Sequence, residues 1–308
     1  EPPAGFTGQD TFPYEVCDDA PACDSGVNTI TGSDMIWFID NTAGAGDGSL
    51  SSPFNSITAI NGSDQPAPND CIYIEETGTD YNDGPLPLSN GQILVGEGSS
   101  DAIPAVCNIT MAPGSESLPS TAGTRPVITS PANGIVLASG NTIRGVNIGN
   151  TTGTGLSGTS VGAATVSEAS INGTGAGVSI KGGTLAMVFD ELSSSNAAGI
   201  DLINVAGDFD VTTGTINSGS STAVSISGSA TVELGVTLVS VSANGESAGI
   251  ILNNTTGSFT ITGDGSTATQ GGNDTGGVIQ NTSGDGIVLT SAQDITLRNM
   301  TIGDTAAT

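Results

Sequence analysis

The chain contains 308 residues, with 46 Gly, 36% hydrophobic residues and only 4% aromatic residues, a composition that favours strands and turns over helices. Four basic residues stand against 31 acidic ones and no His is present, so the formal net charge is −27. The sequence has no basic stripe to displace counterions from phosphates and no run of 18 apolar residues. It therefore argues against nucleic acid and anionic membrane as partners, and against a membrane span.

Residues 1 to 32 form the first segment and carry two of the four cysteines, Cys17 and Cys23; the other two are Cys71 and Cys107. Four cysteines permit three pairings, and proximity along the chain favours Cys17 with Cys23 and Cys71 with Cys107. Zinc is the weaker interpretation, because the chain has neither a C-x-x-C spacing nor a His. Two disulfides predict an extracellular or cell-surface location.

Residues 33 to 130 read as a cap and the first coils of a repeating fold. "DMIWFIDN", "CIYIEE", "GQILVGEG" and "RPVITS" are predicted strands. In "SPFNSITAIN", Ser52 and Pro53 are placed to begin a short helix with Phe54, Ile57 and Ile60 on one face. We expect this helix to cover the first coil and to block an open sheet edge.

Residues 131 to 308 repeat. A small residue followed by aliphatic residues recurs about every 22 residues, which is typical of a solenoid; the phrases are "GIVL" at 134, "GLSG" at 155, "GVSI" at 177, "GIDL" at 199, "AVSI" at 223, "GIIL" at 249 and "GIVL" at 286. Leucine-rich repeats are the alternative at this period, but their Leu and Asn spacing is missing and the connections are too rich in Gly, Ser and Thr for helices.

A second strand phrase follows within the repeats, as in "TIRGVNI" (142 to 148) and "TLRNMTI" (296 to 302). Apolar and polar residues alternate in it, and a small or polar residue in the middle marks a corner, with Arg144 and Arg298 on the outside beside it. The predicted fold class is therefore all-β: a parallel β-helix, right-handed from strand-crossover chirality. Nothing after "TIGDTAAT" caps the last coil, so we expect an open edge there, as in a fragment or an assembling subunit.

The runs "IWFIDNTAGAGDGSLSSPFNSITAI", "NDCIYIEETGTDYNDGPLPLSNGQILVGEG" and "NGIVLASGNTIRGVNI" resemble the opening of pectin-lyase-like right-handed parallel β-helix domains of large bacterial secreted or surface proteins. The resemblance covers residues 34 to 308 by repeat pattern. "GQDTFPYEVCDDA" resembles the end of the bacterial immunoglobulin-like or cadherin-like modules that precede such domains. The alternative for residues 1 to 32 is a free strand that pairs with the sheet edge of another copy.

The β-helix class includes polysaccharide lyases and hydrolases, but the acidic, His-containing and Arg-Lys motifs of polygalacturonases are not assembled in this sequence. The best candidate catalytic pair is Glu168 with Asp190, each nine residues before the next repeat's Gly, at Gly177 and Gly199. Stacked coils lie about 4.8 Å apart, near the ~5 Å carboxyl separation of a retaining glycosidase. Two surface acids at a corner are the more common explanation of such a pair.

Asp201, Asp208 and Asp210 follow one coil later, and with Asp190 they could supply hard oxygen ligands to calcium. The "DNTAGAGDGS" loop (40 to 49) also resembles a calcium loop, but it lacks the closing Glu and reads better as a turn. No other cofactor is indicated.

The leading hypothesis for function is structural: an extracellular β-helix rod that acts as a stalk, an adhesin segment or a self-assembling filament subunit. We expect self-association through the solenoid ends or the N-terminal strand. The alternatives are a polysaccharide lyase or hydrolase, and a passive module that binds a cell-surface or glycan partner. All aromatic residues suited to stacking on sugar rings, the single Trp and the three Tyr, lie before residue 82.

Overall fold

The computed structural model describes residues 8–19, 22–32, 35–61, 66–111, 114–195, 197–219, 221–228, 233–266 and 272–303. Within them, 52% of the structure is strand and 3% is helix. A two-stranded antiparallel sheet precedes a 22-stranded sheet whose strands pair in parallel. The large sheet winds into a parallel β-solenoid of about 10 turns, which confirms the predicted fold class.

The first strands in chain order are β1 (Gly8–Cys17), β2 (Cys23–Gly32), β3 (Ile36–Ile39), β4 (Cys71–Ile74), β5 (Leu86–Pro87), β6 (Ile93–Gly96), β7 (Val127–Ser130) and β8 (Ile135–Leu137). The next are β9 (Thr142–Arg144), β10 (Asn147–Thr151), β11 (Thr154–Thr159), β12 (Ala163–Gly173), β13 (Ala176–Ser195), β14 (Ile200–Thr213), β15 (Thr215–Ser218) and β16 (Val224–Ser227). The last are β17 (Leu234–Leu238), β18 (Ser240–Asn244), β19 (Ile250–Asn253), β20 (Phe259–Ile261), β21 (Gly277–Gln280), β22 (Ile287–Thr290), β23 (Ile295–Leu297) and β24 (Met300–Ile302). A 3₁₀-helix, Ile57–Asn61, and an α-helix, α1 (Ile103–Val106), complete the elements.

The solenoid has three faces. Face A contains β3, β4, β6, β9, β17, β20 and β23 with parts of β12, β13 and β14. Face B contains β7, β10, β15, β18, β21 and β24 with parts of β12 and β13. Face C contains β5, β8, β11, β16, β19 and β22 with parts of β13 and β14. Each turn of the chain runs from face C to face A and then to face B.

The Gly-aliphatic phrases form face C in the predicted register. Ile135 pairs with Leu156, Leu156 with Val178, and Val178 with Ile200. The column continues with Val224, Ile250 and Ile287. The small residue before each aliphatic lies where the coils approach closely: a Cβ on Gly177 would collide with the carbonyl oxygen of Gly199, which explains why Gly recurs there.

The main apolar cluster of the described residues runs along the solenoid axis. On face A one inward column joins eight coils: Ile72, Leu94, Ile143, Val166, Met187, Phe209, Val236 and Phe259, each in register with the next. All eight side chains are buried. Since each coil buries its apolar face only against its neighbours, the core depends on stacking.

A second apolar cluster lies on the outside of face A at the first coils. Phe38, Tyr73 and Val95 pack there against Ile103 of α1. The cover belongs to residues 97 to 126, the long connection between face A and face B, which is tied to β4 by the Cys71–Cys107 disulfide. The Tyr73 hydroxyl donates to the Ser120 carbonyl across this cover.

A buried polar ladder precedes the strands of face A. Asp70, Gln92 and Asn141 each come one residue before β4, β6 and β9 and are nearly fully buried. The Asp70 carboxylate accepts from Trp37 Nε1 at 2.8 Å, and Asn141 Nδ2 donates to the Gln92 carbonyl at 3.1 Å. Because these buried polar groups are bonded to neighbouring coils, the ladder fixes the coil register.

The predicted capping helix at Ser52 to Ile60 is not confirmed. Phe54 instead forms a bridge to Ile39, and its N–H donates to the Phe38 carbonyl. The chain at Phe54 is therefore extended, and only Ile57–Asn61 is helical. Phe54, Ile57 and Ile60 are nevertheless all buried, as predicted.

The N-terminal segment is a hairpin. β1 and β2 pair in unbroken antiparallel register from Gly8 with Gly32 to Cys17 with Cys23, and the last pair forms a disulfide. Both disulfide pairings predicted from the sequence are therefore confirmed. No strand pairing joins the hairpin to the solenoid within the described ranges. Residues 1–7, 304–308 and the predicted open C-terminal edge beyond residue 303 lie outside them.

Candidate functional site

The candidate catalytic residues lie at the sharp corner between face A and face B. Glu168 occupies the corner with φ of 50°, where the preceding coil has Gly145 with φ of 73°, and the Gly145 N–H donates to the Glu168 carbonyl. Asp190 lies at the same corner one coil later, between the paired positions of Phe189 and Glu191. Positive φ at Glu168 turns the chain within one residue, whereas Asp190 is an unpaired residue where the register of β12 and β13 shifts.

Glu168 is bound by an arginine from the preceding coil. Arg144 Nε donates to Glu168 Oε2 at 2.6 Å and Nη2 donates to Oε1 at 3.2 Å, a bidentate pair. Arg144 Nη1 also lies 2.6 Å from Asp101 Oδ2, and the Ser100 N–H donates to Glu168. The two contacts from Ser100 and Asp101 come from residues 97 to 126, so this cluster joins the outer cover to two coils.

Asp190 is bound by a different arginine. Arg125 forms an ion pair with Asp190, and its Nη1 lies 3.5 Å from Ser170 Oγ. Arg125 stands at the end of the cover, and its side chain fills the space beside Gly98. Its guanidinium therefore reaches along face B and ties the cover to coils further along the solenoid.

These contacts do not resemble the carboxyl pair of a glycosidase. The hydrogen bond from Arg144 is the largest cause that lowers the pKa of Glu168, from 4.5 to about 2, and the bonds from Ser100 lower it further, while burial opposes them. A general acid needs a raised pKa, so that it holds a proton near neutral pH. The hydrogen bond to Glu168 likewise raises the pKa of Arg144. The geometry is that of a structural ion-pair cluster, and the catalytic hypothesis gains no support from it.

The four carboxylates predicted for calcium are not brought together. Asp201 lies on face C in register with Ser179, whereas Asp208 and Asp210 lie on face A, and Asp190 is bound to Arg125 at the corner. In the described part of the chain, the only group of three His, Cys, Asp or Glu within ligand reach is Glu15 with Cys17 and Cys23. Those two sulfurs are joined in the disulfide and are not available as thiolates.

Asp40 and Asp47 of the "DNTAGAGDGS" loop accept hydrogen bonds within their own turns. Asp40 Oδ1 accepts from the N–H and the hydroxyl of Thr42, and Asp47 Oδ1 accepts from the N–H and the hydroxyl of Ser49. The hydroxyl and N–H of Ser49 lower the pKa of Asp47. This is the chemistry of a turn, as the sequence favoured.

A column of like charges begins at the end of β3. Asp40, Glu75 and Glu97 follow β3, β4 and β6 at the same corner, and backbone bonds at 3.0 Å join the successive coils. Burial, the Asp40 carboxylate and the Glu97 carboxylate, in that order, raise the pKa of Glu75. Repulsion at this column is therefore a cost of the fold near neutral pH.

A shallow cleft lies on face C. Its volume is about 420 Å³, and it is lined by Asn133, Val136, Leu137, Ser157, Gly158, Thr159, Ser179 and Lys181. Lys181 is exposed and has no ion pair in the described ranges. The lining offers hydroxyl, amide and ammonium groups but no aromatic ring.

None of the three ion pairs in the described ranges was predicted from the sequence. Arg144 and Glu168 are 24 residues apart, close to the repeat period, and that spacing was the available signal. Arg125 and Asp190 are 65 residues apart, and one of them belongs to an irregular connection, so no periodic signal relates them.

The chain matches no protein-family model, no curated protein and no solved structure at a significant level. No helix in the described ranges is both long enough and apolar enough to cross a membrane.

Proposed function

We propose that the chain is an extracellular structural protein, a β-helix rod that serves as a surface stalk, an adhesin segment or a filament subunit and associates with further copies of itself. The ten-turn stack with one continuous core supports a rod. The strand phrases of residues 34 to 148 support a right-handed, pectin-lyase-like type of solenoid, and the hairpin supports the end of an immunoglobulin-like or cadherin-like module. The two disulfides support a location outside the cytosol.

The observation that carries the proposed self-association is the exposed hairpin. Phe12, Tyr14 and Val16 alternate along β1 and therefore share one face, and they are 45%, 46% and 62% exposed. Val27 of β2 is 64% exposed on the other face. An isolated two-stranded hairpin is marginally stable in water, and its outer edges carry unpaired N–H and C=O groups. Pairing with the sheet edge of a second copy stabilises the hairpin and supplies partners for the N–H and C=O groups of one outer edge.

The test compares two charge-matched variants by light scattering and electron microscopy, over a range of salt concentrations. Salt is needed because copies of net charge −27 repel one another until the charge is screened. We expect wild-type chains to associate as salt rises and Phe12→Asp to weaken that association at least tenfold. Val188→Asp is the control, because Val188 is also 45% exposed but lies on the solenoid. Chains that remain monomeric at every salt concentration would overturn the proposal.

A second candidate function is passive binding of a glycan, and the hydroxyl, amide and ammonium groups of the face C cleft favour it. The expected result is weak binding of oligosaccharides, with loss in Lys181→Ala and no loss in Arg298→Ala, an exposed cation elsewhere. Incubation with acidic and neutral polysaccharides tests the enzymatic alternative: sustained turnover that disappears in Asp190→Asn would establish a lyase or hydrolase and contradict a purely structural role.

A further inference from the structure

The last described coil, formed by β22, β23 and β24, leaves inward-facing aliphatic residues uncovered. Leu289 of β22 is in register with Leu252, and Ile302 of β24 is in register with Ile279. Leu252 and Ile279 are buried, whereas Leu289 and Ile302, in the same inward columns, are 48% and 49% exposed. No coil of the described residues stacks beyond them. This end coil therefore presents an apolar surface together with unpaired strand edges.

The opposite end of the solenoid is closed by its own chain. On the edge of β3 away from β4, the Phe38 N–H donates to the Gly48 carbonyl and the Phe54 N–H donates to the Phe38 carbonyl, both at 2.9 Å. The ring of Phe54 stacks on that of Trp37, and both side chains are buried. Because the edge of the first coil is already occupied, a second copy finds a free edge at the end coil and not at β3.

The N-terminal hairpin is complementary to the end coil in apolar surface. Phe12, Tyr14 and Val16 form an exposed face of β1. Asp24 of β2 lies opposite Val16, on the same face, and is exposed. Neither strand pairs beyond the hairpin in the described ranges. The hairpin thus offers an apolar face, a carboxylate and two free edges.

Charge also favours a contact between the two surfaces. Lys181 and Arg298 are exposed and are the two basic residues without an ion pair in the described ranges. Lys181 lies in β13, midway along the solenoid, whereas Arg298 lies on the end coil, between β23 and β24. Asp285 and Asp294 are on the same coil, so the positive charge is local to Arg298. The hairpin sequence from residue 8 to 32 has acidic residues and no basic one, and a carboxylate such as that of Asp24 is attracted to Arg298.

We propose that the hairpin of one copy docks on the end coil of the next, so that the association is head-to-tail. The proposal rests on the self-association proposed above and adds the surface that receives the hairpin. The apolar face of β1 covers Leu289 and Ile302, and one edge of the hairpin pairs with a free strand edge of the end coil. Since hairpin and end coil are different surfaces of each copy, the contact is heterologous and builds a filament or a ring instead of a closed dimer.

Mixing two defective variants tests this polarity. Phe12→Asp alters the hairpin and leaves the end coil intact, and Leu289→Asp does the reverse. At a salt concentration at which the wild type associates, each variant alone should associate roughly tenfold more weakly, because a charge replaces an apolar contact. An equimolar mixture should form dimers with one copy of each variant, since one competent hairpin and one competent end coil remain. Analytical ultracentrifugation measures the mass of these species.

A second variant addresses the charge without altering the core. Arg298→Glu changes an exposed side chain and should weaken association about fivefold, because it replaces attraction by repulsion at the contact. Lys181→Glu is the matched control: it makes the same change of net charge at an exposed site midway along the rod and should associate as the wild type does. Thermal melting of each variant verifies that the measured chains are folded.

The failures of the two proposals are distinguishable. Wild-type chains that stay monomeric at every salt concentration would overturn the self-association itself. If the wild type associates and Leu289→Asp and Arg298→Glu associate equally well, self-association stands and the end coil is not the receiving surface. Dimers formed by Leu289→Asp alone and absent from Phe12→Asp would show that hairpins pair with each other. A mixture of Phe12→Asp and Leu289→Asp that yields no dimer would also overturn the head-to-tail contact.

Discussion

The corner residue Glu168 shows how a single carboxylate stabilises this fold. Its side chain is 23% exposed and is bound by Arg144 and by the Ser100 N–H, and Arg144 in turn pairs with Asp101 of the cover. Removing one partner of a buried, fully bonded ion pair costs more stability than removing one partner of a surface pair, and solvent screening reduces that cost where the pair is partly exposed. We therefore expect the loss of the Glu168 charge to reduce the free energy of unfolding by an amount between these two cases.

We predict that Glu168→Gln loses about 1–2 kcal/mol of stability at pH 7, once screening is allowed for. The folded-state pKa, about 2, lies below the usual 4.5, so the unfolded chain binds more protons between those values. Stability from Glu168 is thus present above pH 4.5 and is lost as the pH falls towards 2. Urea unfolding at several pH values should show the variant and the wild type converging at low pH.

Glu116→Gln is the control for that experiment, because Glu116 is exposed and has no ion pair within the described ranges. It should follow the wild type at every pH. A Glu168→Gln deficit that persisted unchanged at low pH would show that its cause is packing and not charge.

Glu75 changes stability with pH in the opposite direction to Glu168. Its pKa is raised by burial and by Asp40 and Glu97, so the folded chain binds more protons than the unfolded chain just above pH 4.5. Stability then falls as pH rises through that window. We predict that Glu75→Gln raises stability at pH 7 by about 0.2–0.5 kcal/mol, a value limited by its exposure. Thermal melting at neutral and acidic pH checks this, and a destabilised variant at pH 7 would contradict it.

At the scale of elements, periodic segments were predictable and irregular ones were not. The column from Ile135 to Ile287 on face C follows from the repeat of Gly and aliphatic residues, because stacking in register imposes that pattern. The helix at Ser52 was wrongly favoured, because backbone bonds of Phe54 to Phe38 outcompete local helix signals. α1 was not predicted, because a helix of four residues is too short to show a hydrophobic period.

At the candidate site, too, only the periodic features could be predicted from the sequence. The corner positions of Glu168 and Asp190 follow from coil spacing, but their arginine partners do not. Arg125 reaches Asp190 only because residues 97 to 126 fold over the outside of face A. The path of such a connection depends on tertiary packing and cannot be predicted from the local sequence pattern.

The two disulfides act on different elements, and their removal should have different results. Cys71–Cys107 closes a loop with a sequence separation of 36 residues and holds the cover on face A. Replacing both cysteines by Ser should cost about 3–4 kcal/mol in the loop-entropy description. Ser replacement of Cys17 and Cys23, separated by 6, should loosen the hairpin and leave solenoid unfolding unchanged. Chemical denaturation followed by circular dichroism separates the two, and equal losses in both variants would contradict this division.

For the whole molecule, stacking makes the solenoid a one-dimensional system in which each coil is stabilised by its two neighbours. The net charge of −27 acts over the whole rod and opposes compaction. The apolar column of face A supplies the short-range attraction that offsets it. A defect in one coil should therefore spread to adjacent coils before it reaches the ends.

Phe209→Ala tests this coupling at the middle of the column. Phe209 is fully buried, and its ring centroid lies 5.4 Å from that of Phe189 in the preceding coil. Removing the ring should cost about 3–5 kcal/mol through lost burial and a cavity. Hydrogen exchange should then show reduced protection in the coils that contain Met187, Phe209 and Val236, while the coils of Ile72 and Leu94 keep theirs. Val188→Ala, at a half-exposed site on the same face, should change neither stability nor exchange by much. Uniform loss of protection along the rod would show instead that the solenoid unfolds as one cooperative unit.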